Sequence, residues 1–200
     1  ATEPMPSTEL EKPDWWAYRQ TLLDVARRSI ELGLKTGKAL TPNPADFPEP
    51  LRRSAATFVT LQRGGRLRGC IGTLEAYRPL VEDVAAHAYA AAFQDSRFDP
   101  LSEQELEVLE IEISVLTPSK PLVVSSEEQL LSVLRPGVDG LTLVFDGHRG
   151  TFLPQVWEQI PEPREFLQQL RRKAGLPSEF WDPHLKVSRY GCIKVTQESA

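Results

Sequence analysis

Residues 55–62 form a β-branched and aromatic run that reaches Gly64-Gly65 and returns through Arg66-Leu67-Arg68-Gly69-Cys70-Ile71. Paired glycines supply the positive φ angles of a two-residue hairpin loop, so the two runs pair antiparallel. That pairing argues against a doubly wound parallel sheet. The rest of the chain interleaves strands and helices irregularly. Residues 14–34 carry Trp15, Tyr18, Leu22, Val25, Ile30 and Leu34 at helical spacing behind Asp14, a candidate cap. Residues 79–93 are amphipathic and alanine-rich, and residues 108–116 alternate cleanly as a strand. A short helix is expected over 126–133 and a strand over 141–145 that ends in an Asp146-Gly147 turn. Pro154 suits the first position of a helix. A helix from about residue 162 stops at Gly175-Leu176-Pro177, and a last strand, bulged at Gly191, is expected over 185–195. The fold class is therefore α+β, with mixed or antiparallel sheets and packed helices.

Two hundred residues at 22.4 kDa fit one good-sized domain, read here as a polar tail over 1–13 and a single domain over 14–196. Hydrophobic residues make 40% and charged residues 26%, ordinary for a chain with a core. No apolar run reaches the roughly 18 residues of a membrane span, and no charged-then-apolar leader opens the sequence. A soluble, cytoplasmic protein is the expectation. Two cysteines, Cys70 and Cys192, are too few and too far apart for a disulfide framework or a Cys-x-x-Cys site. The net charge of −5 disfavours a dedicated nucleic-acid binder. Arg52-Arg53 with Arg63, Arg66 and Arg68 remains a possible basic stripe.

The chemistry-bearing stretch is Leu67-Arg68-Gly69-Cys70-Ile71-Gly72. Strand alternation puts Arg66, Arg68 and Cys70 on one face, where a guanidinium beside the thiol favours the thiolate. The flanking glycines let a ligand or another backbone approach. An equally good reading makes Cys70 a buried packing residue and the glycines marks of a bulge or tight contact. The spacing lacks the ending of a phosphate-binding loop. Asp95 follows a helix, where it caps amides, pairs with Arg97, or faces the site beside Cys70. Glu110, Glu112 and Ser114 share one strand face; the two carboxylates, about 7 Å apart, suit no shared-proton dyad. Glu112 is the better acid or base candidate. His87 lies near the buried side of its helix as a packing histidine, with reach to Cys70 as the alternative. Arg171-Arg172-Lys173 complements a helix dipole, and Cys192 reads as core. Three scattered histidines give no metal spacing, so no metal or cofactor is expected.

The hexapeptide, then Ala91-Ala92-Phe93, Asp95, Arg97-Phe98, Glu112-Ile113-Ser114-Val115-Leu116, Thr151-Phe152-Leu153-Pro154-Gln155-Val156 and Leu170 to Leu176, resemble the AMMECR domain in motif order. Prokaryotic members are called AmmeMemoRadiSam system protein A. The resemblance implies a larger and a smaller subdomain around a ligand-binding groove, and partners in a Memo-like protein and a radical S-adenosylmethionine protein. It supplies no reaction. Carried residue by residue, it implies a site at Cys70, Glu112 and Asp95 as candidate catalytic groups. Arg68, Gly69, Ile71, Gly72, Arg97, Phe98 and Ser114 are the candidate contacts to an unknown small ligand. The expected function is a binding or adaptor component. A Cys70-dependent enzyme in small-molecule, RNA or protein modification is the alternative.

Overall fold

The computed structural model describes residues 12–199; most of the expected tail, residues 1–11, lies outside them. The described residues divide into two compact units, one of residues 12–116 with 193–199 and one of residues 117–192.

The first unit begins with a 3-10 turn, Asp14–Tyr18, followed by α1 (Arg19–Thr36). Asp14 does not cap this helix. Its carboxylate pairs with Arg53, just beyond the short α2 (Glu49–Arg52). The hairpin follows as β1 (Thr57–Arg63) and β2 (Arg66–Gly72), then α3 (Leu80–Phe93), the one-turn α4 (Glu103–Leu106) and β3 (Leu109–Leu116). Gly64 and Gly65 both have positive φ, as the two-residue turn requires. The sheet order is β2-β1-β3-β8, where β8 is Cys192–Val195.

One face of this sheet carries the core. Val59 and Leu61 of β1 and Ile111 and Ile113 of β3 are buried with Leu22 and Ile30 of α1 and Val84 and Ala88 of α3. Small residues draw the layers together. A Cβ on Gly33 would meet the Phe93 ring at 2.4 Å, and the Ser29 hydroxyl donates to Ala85 O at 2.7 Å. Beneath them lies a buried polar network. Thr57 Oγ1 donates to Asp83 Oδ2 at 2.7 Å and sits 2.9 Å from His87 Nδ1, while Arg78 Nε donates to Asp83 Oδ1 at 2.6 Å. Burial opposes the charge on Asp83, but the hydrogen bonds from His87, Thr57 and Arg78 outweigh it and hold the carboxyl below its ordinary range.

The second unit holds β4 (Lys120–Leu122), α5 (Glu127–Val133), β5 (Gly140–Phe145), β6 (His148–Phe152), α6 (Pro163–Lys173) and β7 (Lys186–Tyr190). Its sheet runs β4-β7-β5-β6, antiparallel throughout the assigned pairs. Phe166, Leu167 and Leu170 of α6 pack with Leu141, Leu143, Val187 and Trp157, whose indole stacks on Phe166 at 3.8 Å. Glu162 caps α6 through Arg164 N and Glu165 N, and Gly175 closes it with φ of 83°.

The expected single strand over 185–195 is two strands in two sheets. Gly191 separates them and is held by Thr117, whose N donates to Gly191 O while its hydroxyl accepts from Gly191 N. Cys192 is half-buried rather than core. No helix among the described residues is long and apolar enough to cross a membrane.

Candidate functional site

A β-bulge shapes the hexapeptide. Arg63 pairs with Arg66 and Gln62 with Leu67, but Leu61 then pairs with Gly69, leaving Arg68 as the extra residue. The slip inverts the strand beyond it. Regular alternation keeps Arg66, Arg68 and Cys70 together; the bulge instead places Gly69 and Ile71 on the helix side and Cys70 opposite Thr60 on the other face. The expected Arg68–Cys70 juxtaposition is therefore absent. Arg68 turns to Glu105, donating from Nε at 2.6 Å and Nη2 at 3.2 Å, and also donates to Asp99 O at 2.6 Å. Its guanidinium lies over Phe98, 5.7 Å from the ring centroid. Glu105 in turn closes a capping box with Ser102 on α4. The Arg68 hydrogen bonds foremost hold the Glu105 carboxyl down at about 2.

Both glycines of the motif have packing reasons. A Cβ on Gly69 would sit 2.1 Å from Ala91 O, so bare backbone lets α3 press against β2. On Gly72 it would meet Thr57 O at 2.3 Å and the Phe58 ring at 2.4 Å. Each close approach is filled by this chain itself.

Asp95 is the keystone of the β2 edge. Its side chain is only 4% exposed. Oδ2 accepts from Cys70 N at 3.0 Å and Arg97 Nη2 at 2.7 Å; Oδ1 accepts from Arg97 N at 3.1 Å and Nε at 3.0 Å. These bonds, Arg97's first, hold the carboxyl far below its usual range against the opposing effect of burial. A carboxylate so committed anchors the loop to the strand and carries no proton at neutral pH. Of the three readings for Asp95, the amide contact and the pairing with Arg97 are the ones its hydrogen bonds show. The geometry ties Arg97, rather than Arg68, to the Cys70 segment: Asp95 Oδ2 accepts from both Arg97 Nη2 and Cys70 N, and the same carboxylate raises the Arg97 pKa above its ordinary value.

On the face opposite the helices, register aligns Cys70 of β2, Thr60 of β1 and Glu112 of β3 in one transverse row. Thr60 Oγ1 lies 3.2 Å from Cys70 Sγ. Glu112, 30% exposed, meets Lys194 Nζ of β8 at 3.9 Å. Ser114 lies one row along, opposite Phe58 on the same face. His87 bonds to Thr57 on the helix side, so the sheet separates it from Cys70. Arg78 Nη2, a pure donor, lies 3.2 Å from His87 Nε2, which makes that nitrogen the acceptor and puts the ring proton on Nδ1.

Cys70, Asp95, Arg97 and Glu112 are thus gathered around one strand edge and face, while Arg68, Gly69 and Gly72 build it. Thr60, Glu105 and Lys194 were missed. Thr60 had a signal, since it sits in the expected hairpin, but an unbulged register pairs it with Gly69. No group of histidine, cysteine or carboxylate residues among the described residues is arranged to hold a metal.

The AMMECR1 family pattern matches residues 23–195. A protein from Methanothermobacter thermautotrophicus is 42% identical over 173 residues, covering 86% of this chain and 90% of its own length. Protein PH0010 of Pyrococcus horikoshii is 37% identical over 190 residues, covering 90% and 88%. The crystal structure titled as uncharacterized protein PH0010 superposes with a TM-score of 0.71 at 36% identity and 91% coverage of each chain. With a matching family pattern and relatives aligned over nearly their whole length, the chain belongs to the AMMECR1 family.

Proposed function

We propose that this protein is a ligand-binding or adaptor component whose contact surface is the Cys70–Thr60–Glu112 face with the Arg97 edge. It works in the cytoplasm with a Memo-like protein and a radical S-adenosylmethionine protein. The observation that carries the reading is the commitment of Asp95. The carboxylate bonded to the Cys70 segment is spent on Arg97 and the Cys70 amide. With His87 on the far side of the sheet, no nucleophile–base–orienter set assembles around the thiol among the described residues. The partners follow from the family resemblance.

The test is capture of the purified Memo-like protein from the same genome. Cys70→Ser is expected to leave capture intact, and Arg97→Gln, which removes the exposed cation of the edge, to weaken it. Loss in Cys70→Ser with full retention in Arg97→Gln sinks the reading.

A Cys70-dependent enzyme is the second reading, favoured by the Thr60 hydroxyl at 3.2 Å and by Arg97, which binds the same carboxylate as the Cys70 amide. Turnover lost in Cys70→Ser and lowered in folded Arg97→Gln would support it; turnover kept in Cys70→Ser would remove it.

A further inference from the structure

Arg171 of α6 heads the large side chains that are wholly buried, and its side chain is 2% exposed. Its position in the last turn of a helix explains a cation there. It does not explain a buried one. Nη1 donates to Glu127 Oε2 and to Phe180 O, each at 3.1 Å. Nε and Nη2 are closed off from solvent and meet no hydrogen-bond partner among the described residues. Glu127 cannot turn to them without loss, because its other oxygen accepts from Arg164 Nη1 at 2.9 Å. One carboxylate therefore serves two guanidiniums.

Nε and Nη2 form one edge of the guanidinium, and that edge presents two parallel donors to a pair of oxygens. Leaving a buried donor unmade costs about 1–3 kcal/mol. Arginine is also the side chain least able to escape this cost by losing its proton. We propose that the Nε–Nη2 edge of Arg171 is a binding site for an oxyanion, the carboxylate or phosphate group of a ligand. Arg164, 52% exposed on the same helix, supplies a second cation towards solvent. The irregular segment 177–185 adjoins the guanidinium through Phe180 O, which accepts from Nη1. Besides Arg171, its polar ties to the rest of this unit include Trp181 Nε1 to Ser125 O at 3.3 Å and Gln168 Nε2 to Glu179 Oε1 at 2.6 Å. Phe180, Trp181 and Leu185 also pack this segment against the core of the unit, so entry of an anion requires that packing to open. The site lies in the unit of residues 117–192 and does not depend on the function proposed for Cys70.

The test follows the Arg171 Nε–H signal of the full-length 15N-labelled protein. Sodium phosphate, sodium acetate and sodium chloride are titrated separately at equal ionic strength. The expected result is a saturable shift in phosphate or acetate and none in chloride; which anion wins separates a phosphate ligand from a carboxylate one. Arg171→Lys, which keeps the charge but loses the fork, is expected to weaken binding roughly tenfold or more. A signal that responds alike to all three salts overturns the proposal, since ordered water then suffices for the edge. Binding unchanged in Arg171→Lys overturns it as well. If that variant does not fold, the wild-type titration decides alone.

Discussion

Removing the Asp95 carboxylate should loosen the Cys70 strand edge by an amount the structure lets one work out. In Asp95→Ala, Cys70 N loses its acceptor and the loop loses its anchor. A hydrogen bond to a charged group contributes about 1.5–3 kcal/mol. The Arg97 side-chain bonds add little, because that side chain is 55% exposed and water replaces them. The expected destabilisation is about 2–3 kcal/mol in urea unfolding. Asp95→Asn keeps an oxygen for Cys70 N and should cost only about 1 kcal/mol. The pH dependence offers a second readout. Because the folded carboxyl lies far below its unfolded value of about 3.9, its contribution is complete above that pH and fades as pH falls towards the folded value. The acid limb of the stability profile should therefore flatten in Asp95→Asn. A change below about 0.5 kcal/mol in Asp95→Ala, with an unaltered acid limb, would refute the clamp.

Four further outcomes are expected. Gly69→Ala forces a Cβ against the Ala91 backbone and should cost about 3 kcal/mol or prevent folding, as thermal unfolding would reveal. Glu105→Gln should remove a component of stability that is lost between about pH 4.3, the unfolded value, and the folded value of about 2, read as a shallower acid limb. His87→Leu takes one of three hydrogen-bonding partners from the buried Asp83 carboxylate, leaving Thr57 and Arg78, and should destabilise by about 1–3 kcal/mol in urea, whereas His87→Gln, which can still donate, should cost less. Thr60→Val should change the rate at which iodoacetamide labels Cys70 in a Cys192→Ser background, and Thr60→Ser should restore it; equal rates in all three would remove Thr60 from the site.

The hairpin, the alanine-rich helix, the strand over 109–116 and the α6 stop were all legible because each is encoded locally. Paired glycines, a helical stripe, a period of two and a Gly-Leu-Pro ending each act within a few residues. The Arg68 bulge was not legible. Nothing inside the hexapeptide says that Gly69 must turn towards Ala91, a contact made 22 positions along the chain, and that contact sets which face Cys70 occupies. The pairing of Asp95 with Arg97 was legible, because the two lie two residues apart; that the strand amide it binds is Cys70's was not, because that partner is distant in sequence. The break at Gly191 escaped for the same reason: Thr117, distant in sequence, holds it.

Capture of the Memo-like protein by three folded forms tests the central claim most directly: wild type, Cys70→Ser and Arg97→Gln. The account predicts equal capture by wild type and Cys70→Ser and weaker capture by Arg97→Gln. Capture abolished by Cys70→Ser and untouched by Arg97→Gln would contradict it and make the thiol itself the functional group.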